Sequence, residues 1–279
     1  MQNTGFMNNA LHSVIQGLYE LPQQLRWSYL PPLMVYLAAG VSGLTGIVGT
    51  FFIKDYLNLS AAFLASLGFW AGLPWALKMP LGHLVDLIWN YKAYLVGLGA
   101  AIIAASLLIM YGLIGHTGFM ASIMPVETWF VTSVILGPVG YVIQDVVADA
   151  MTVEAVPEQD ENGNGIAPDQ LKIMHTTMQT LGRFAIIGGT VLVSLANVIM
   201  FADVDSLDAA ARIDLYANIY LYALIIPVIS IAGVALARLQ QAYRNARARQ
   251  PHHTTESPHQ RPEINWSILL GSLVFVVFS

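Results

Sequence analysis

Six runs of mostly apolar residues, each near the length of a bilayer-crossing helix, divide the chain at 33–53, 61–77, 93–114, 129–149, 176–200 and 215–237. A membrane-spanning helix needs about 20 such residues. The second run is short as it stands and is expected to extend at either end. A seventh run, 264–279, is too short to cross a bilayer comfortably and reads as a cut seventh helix. Composition points the same way: 56% of the 279 residues are hydrophobic and 10% are charged, against about 25% charged in a soluble domain. A chain of this kind is expected to be an all-α polytopic membrane protein whose first partner is the lipid bilayer. Its net charge of −5 leaves no basic footprint, so no nucleic acid is expected. With no cysteine, disulfides, thiolate metal sites and cysteine nucleophiles are excluded. No H-E-x-x-H, G-x-S-x-G or P-loop pattern occurs, so the chain is not expected to be an enzyme.

Basic residues set the expected topology, because loops rich in Lys and Arg stay cytoplasmic. With the N-terminus inside, the inner segments hold Arg26, Lys78, Lys92, Lys172, Arg238, Arg244, Arg247, Arg249 and Arg261. The outer loops hold only Lys54 and Arg212. A multi-pass protein of the plasma (inner) membrane with a cytoplasmic N-terminus is therefore expected. Residues 1–30 read as an interfacial amphipathic segment, since Leu11, Val14, Ile15, Leu18 and Leu25 recur at helical spacing. Residues 31–237 form the six-helix bundle, 238–263 a hydrophilic cytoplasmic linker, and 264–279 the truncated seventh helix.

No cofactor or metal is expected. His252, His253 and His259 cluster in the linker without Asp or Cys support. The run D-E-N-G-N-G at 160–165 resembles the start of a calcium loop, but Leu171 stands where a bidentate Glu is required.

Ionisable residues are costly inside a membrane, so they carry the functional information. Asp145 and Asp149 lie four apart on one helix face, with Thr152 continuing it and Glu154 about a turn beyond. Two carboxylates so close repel, so one should take up a proton or a cation should sit between them. Coupling or gating by Asp145, Asp149 and Glu154 is the functional expectation; acids left in water at a helix end are the alternative. Lys78, Gly82 and Asp86 fall in the loop after the second span. There Gly82 suits a tight turn and close helix approach, and Asp86 suits an N-cap for the third span. Arg183 lies within the fifth span. It could pair with Asp145 or Asp149, hold an anionic substrate group, or snorkel to the headgroups.

Small residues shape the packing. Ala38, Ser42, Gly46 and Thr50 make a small-xxx-small stripe, widened by Gly40, Gly43 and Gly49. Gly137-Pro138-Val139-Gly140, Pro74 and Gly188-Gly189 are expected to bend or loosen their helices.

Gly82-His83-Leu84-Val85-Asp86 resembles the G-x-L-x-D-R loop motif of the major facilitator superfamily, with Leu87 in place of the arginine. More specifically, Pro74-Trp75-Ala76-Leu77-Lys78 with Gly82, Leu84 and Asp86 resembles the P-W-x-x-K-P-L-Y-G-x-L-S-D pattern of the folate–biopterin transporter family. Met79 replaces the proline after the lysine. The stretch from Asp145 to Glu154 resembles that family's D-V-x-x-D-A-x-x-x-E. The resemblance covers about the first six helices. It implies the N-terminal six-helix half of a twelve-helix secondary transporter, built from inverted three-helix repeats. A C-terminal six-helix half would be its missing partner, with the substrate cavity between halves. The implied substrate is a folate- or pterin-like small molecule moved by alternating access with proton coupling. Trp75, Tyr141, Gln144 and Arg183 are the substrate-binding candidates. Two alternatives remain open: a carrier of another small solute on the same scaffold, and a non-transporting membrane assembly factor.

Overall fold

The computed structural model describes residues 25–52, 60–88, 91–160 and 163–248, with 266, 267, 270, 271 and 274. Among these it is all-helical apart from one isolated bridge, Gln159 to Gly165. The interfacial segment before residue 25, linker residues 249–263 with their three histidines, and most of 264–279 lie outside the described residues. Among the described residues, five helical stretches are long and apolar enough to cross a membrane: Trp27–Thr50, Lys92–Gly115, Val126–Ala155, Pro168–Ser206 and Ala209–Arg244. The protein is therefore a polytopic membrane protein by architecture.

The first stretch enters through a 3-10 turn at Trp27–Tyr29 and continues as α1 (Leu30–Val41), with Pro31 and Pro32 in its first turn. Prolines are tolerated there because the first-turn N–H groups have no intrahelical partner. A short 3-10 turn at Ser42–Thr45 leads into α2 (Gly46–Phe52). Next come α3 (Ala61–Ala76) and α4 (Lys78–Leu87), separated by a single turn residue, Leu77. At 16 residues, α3 is shorter than a full crossing. The stretch from Lys78 to Asp86 is thus a helix and not the loop expected from sequence. Pro80 permits this, since it stands in the first turn of α4, where its missing N–H costs nothing.

Two expectations for that stretch are corrected. Gly82 makes no close approach, since a Cβ added there meets nothing within 4 Å. Asp86 does not cap the third span: it is exposed near the end of α4, while α5 (Lys92–Gly115) starts behind Tyr91 with no side-chain cap.

After α6 (Thr117–Ile123) comes α7 (Val126–Ala155), one helix with Pro138 inside it. Helix α8 (Pro168–Met200) is likewise unbroken through Gly188 and Gly189. The last of the five stretches divides into α9 (Ala209–Tyr222) and α10 (Ile225–Ala248). Pro227 explains the division. It cannot donate to the Ala223 carbonyl, which instead accepts from Ile226 N at 2.9 Å. Residues 238–248 of the expected linker continue α10.

Glycines join the bundle backbone to backbone. A Cβ on Gly40 would lie 2.2 Å from the Ile186 carbonyl oxygen, and one on Gly189 would lie 2.8 Å from Gly40 Cα. Helices α1 and α8 therefore cross where neither carries a side chain. Gly99 and Gly140 do the same for α5 and α7, each within 3 Å of the other's carbonyl oxygen once a Cβ is added. Ser106 and Ser133 add reciprocal bonds across α5 and α7, each hydroxyl donating to the other's backbone carbonyl at 2.9 Å. Gly140 and Gly189, in the runs expected to bend or loosen their helices, set helix separation.

Candidate functional site

The site grows from the face of α7 that carries Asp145 and Asp149. One helical turn separates them, so both carboxylates project to the same neighbours. The first neighbour is α4. Lys78, its first residue, places Nζ 2.5 Å from Asp145 Oδ2 and 2.9 Å from Asp149 Oδ2. The single-residue corner at Leu77 aims this lysine, because α4 starts immediately beside α7. The second neighbour is α1. The Tyr36 hydroxyl donates to Asp149 Oδ1 at 2.5 Å. Gly182 on α8 makes room for that ring: a Cβ there would lie 2.7 Å from Tyr36 Cε2. Thr152 caps the cluster by donating to the Asp149 carbonyl at 2.6 Å. Three helices thus converge on one network of two carboxylates, an ammonium and a phenol, and α8 makes room for it.

The two acids differ in access. The Asp145 side chain is 13% exposed and that of Asp149 is 47%. Lys78 lies just past the end of α3. Burial works against its charge, but the two carboxylates more than offset this and raise its pKa above the ordinary value. The ammonium is therefore charged at neutral pH. With both carboxylates ionised, the network carries one uncompensated negative charge. Asp149 is the more open of the two acids.

The remaining sequence candidates lie elsewhere. Glu154 pairs with Lys92 at the start of α5, in a separate ion pair one turn along α7. Gln144 is buried: its Oε1 accepts from Ser230 at 2.9 Å and its Nε2 donates to the Val96 carbonyl at 3.4 Å. It ties α7 to α10 and α5. Tyr141 lines a cavity of about 310 Å³ together with Ser42, Thr45, Ser106, Ser133 and Tyr220. Trp75 is exposed on α3, and Gly82 and Asp86 lie on α4 without joining the network. Arg183 is exposed on α8, and the cation that the aspartates hold is Lys78 instead. Asp160 accepts from Asn164 N at 2.8 Å and from Asn164 Nδ2 at 3.2 Å, closing a local polar turn. Among the described residues, no group of three or more acidic or histidine side chains is placed to hold a metal.

Sequence reasoning missed Tyr36. The available signal was a hydroxyl in an otherwise apolar span, which needs a partner when buried. It also put Lys78 and the aspartates in separate clusters.

Comparison with known proteins gives one informative relative. Over 132 residues, 46% of this chain, the sequence is 30% identical to a folate-biopterin transporter of Synechocystis sp.. The matched stretch is 24% of that protein's length, so the similarity concerns a part of it. No family profile matches the chain, and no solved structure matches it.

Proposed function

We propose that this chain is the N-terminal half of a major facilitator transporter that moves folate- or pterin-like solutes by alternating access, coupled to protons. The observation that carries the reading is the network in which Lys78 bridges Asp145 and Asp149 while Tyr36 holds the second carboxylate. Such a network is a latch. With both acids ionised, Lys78 draws α4 against α7 and Tyr36 draws α1 to the same point. A proton on Asp149 neutralises the excess charge, weakens its hold on Lys78 and leaves a one-to-one pair with Asp145. The hydrogen bond from Tyr36 weakens too, because its acceptor is no longer charged. Contacts between α1, α4 and α7 then become easier to break, as a rocking bundle requires.

In this reading the positive-inside bias puts the Lys78 end at the cytoplasmic face. On the same reading a second six-helix half completes the transporter, and the substrate cavity forms between halves. The similarity to a folate-biopterin transporter supports the substrate class. The test is uptake of labelled folate and biopterin into vesicles carrying the complete transporter, with and without an imposed proton gradient. Gradient-driven uptake of either solute is expected. No uptake of any pteridine under any gradient would overturn the substrate assignment.

A further inference from the structure

Away from the aspartates, α10 leaves a second site at the end of the bundle where the basic residues gather. A pocket of about 140 Å³ opens between α1, α5, α7 and α10, several times the roughly 30 Å³ share of one water. Three cations line it, Lys92, Arg238 and Arg244, against one carboxylate, Glu154. Lys92 already pairs with Glu154, which leaves the two arginines as the excess positive charge. The Arg238 guanidinium also sits 5.7 Å from the Tyr94 ring centroid. Stacking of this kind keeps an arginine in place beside an apolar surface.

The pocket continues into a larger groove of about 460 Å³ whose walls are Trp27, Leu236, Leu239 and Tyr243. Arg244, Gln240 and Ser28 line both spaces. Gln240 fixes the shared wall by donating to the Trp27 carbonyl at 2.8 Å. Trp27, Leu239 and Tyr243 are 69%, 67% and 68% exposed, as suits side chains meeting lipid. Trp and Tyr are favoured at headgroup depth. A cationic pocket joined to an apolar groove at that depth matches one ligand shape: an anionic head on a hydrocarbon tail.

We infer that this is a binding site for an anionic phospholipid, with the phosphate between Arg238 and Arg244 and an acyl chain along Trp27, Leu239 and Tyr243. Arginine suits the phosphate because its planar fork donates two parallel bonds. The site borders Glu154 and the start of α5, one turn from the aspartate network, so an occupied site would steady that end of α7.

The test uses the purified protein in neutral detergent, titrated with phosphatidylglycerol, phosphatidylcholine and inorganic phosphate. Intact-complex mass spectrometry counts bound lipid, and thermal denaturation reads Tm. Each basic residue near an anionic headgroup contributes about a fivefold gain, so two give about a thirtyfold preference for phosphatidylglycerol. The Arg238→Gln/Arg244→Gln variant should lose most of that preference and keep its lipid-free Tm, and phosphate alone should leave Tm unchanged.

Quenching provides a check that needs no arginine variant. Brominated phosphatidylglycerol should quench the native protein more than brominated phosphatidylcholine, and Trp27→Phe should remove that difference. Equal binding of the two lipids, or a preference that survives loss of both arginines, would overturn the site. A Tm rise with phosphate equal to that with phosphatidylglycerol would assign it to soluble anions instead. Phosphatidylglycerol binding seen only after deletion of residues 1–24 would assign the groove to the chain's own N-terminal segment.

Discussion

Lys78 holds two carboxylates at once, and the structure predicts that it does not hold them equally. The perturbation is a pair of double-mutant cycles, Lys78→Gln with Asp145→Asn and Lys78→Gln with Asp149→Asn. The Asp145 contact is shorter, 2.5 Å against 2.9 Å, and its carboxylate is much less exposed, 13% against 47%. Breaking a fully buried pair costs about 3–5 kcal/mol, while solvent-exposed pairs contribute about 0–1 kcal/mol. Lys78 is 37% exposed, so its pair with Asp145 falls between these limits, at about 2 kcal/mol. The pair with Asp149 is open to water on both sides and belongs near the lower limit, below about 1 kcal/mol. Reversible denaturation in detergent, read by intrinsic fluorescence, gives the stability of each variant, and the coupling energy follows by difference. A coupling to Asp149 equal to or above that to Asp145 would refute the reasoning. So would two couplings indistinguishable from zero.

Other variants test the parts around this bridge. Tyr36→Phe removes the donor to Asp149 and should cost about 1 kcal/mol, since the half-exposed carboxylate recovers a water; its Tm in detergent checks this. Gly40→Ala drives a Cβ to within 2.2 Å of the Ile186 carbonyl oxygen, so α1 and α8 must separate, at about 3 kcal/mol. Gly68→Ala, on exposed α3 where a Cβ meets nothing within 4 Å, should instead be neutral or stabilising by about 0.5–1 kcal/mol. Ser230→Ala leaves the buried Gln144 oxygen without its donor and should cost about 1–3 kcal/mol, measured in the same denaturation assay.

The aspartate pair was legible because a four-residue spacing is a helical fact, and the charge argument required a proton or cation beside it. The identity of the cation was not legible. Arg183 was a reasonable candidate, being within a span, but its neighbour Gly182 faces Tyr36 on α1. One residue further along a helix turns the side chain by about 100°, and Arg183 points away. Lys78 reads as a loop residue after the second span because Gly82 suits a tight turn; with Pro80 in the first helical turn, the same residues start a helix. The glycines carried a comparable ambiguity. Gly-Pro-Val-Gly and Gly-Gly signal weak helix propensity locally, and only the partner helix reveals that Gly140 and Gly189 are contact points. The break between α9 and α10 is signalled by Pro227.

The proposed role of Asp149 is to take the coupling proton while Asp145 stays paired with Lys78. The direct measurement is transport by Asp149→Asn in the complete carrier, comparing proton-gradient-driven accumulation of labelled folate or biopterin with substrate exchange at equal pH on both sides. Accumulation should fall to the level without a gradient while exchange persists, because a permanently neutral side chain still lets the bundle rock. Undiminished gradient-driven accumulation by Asp149→Asn would contradict the account.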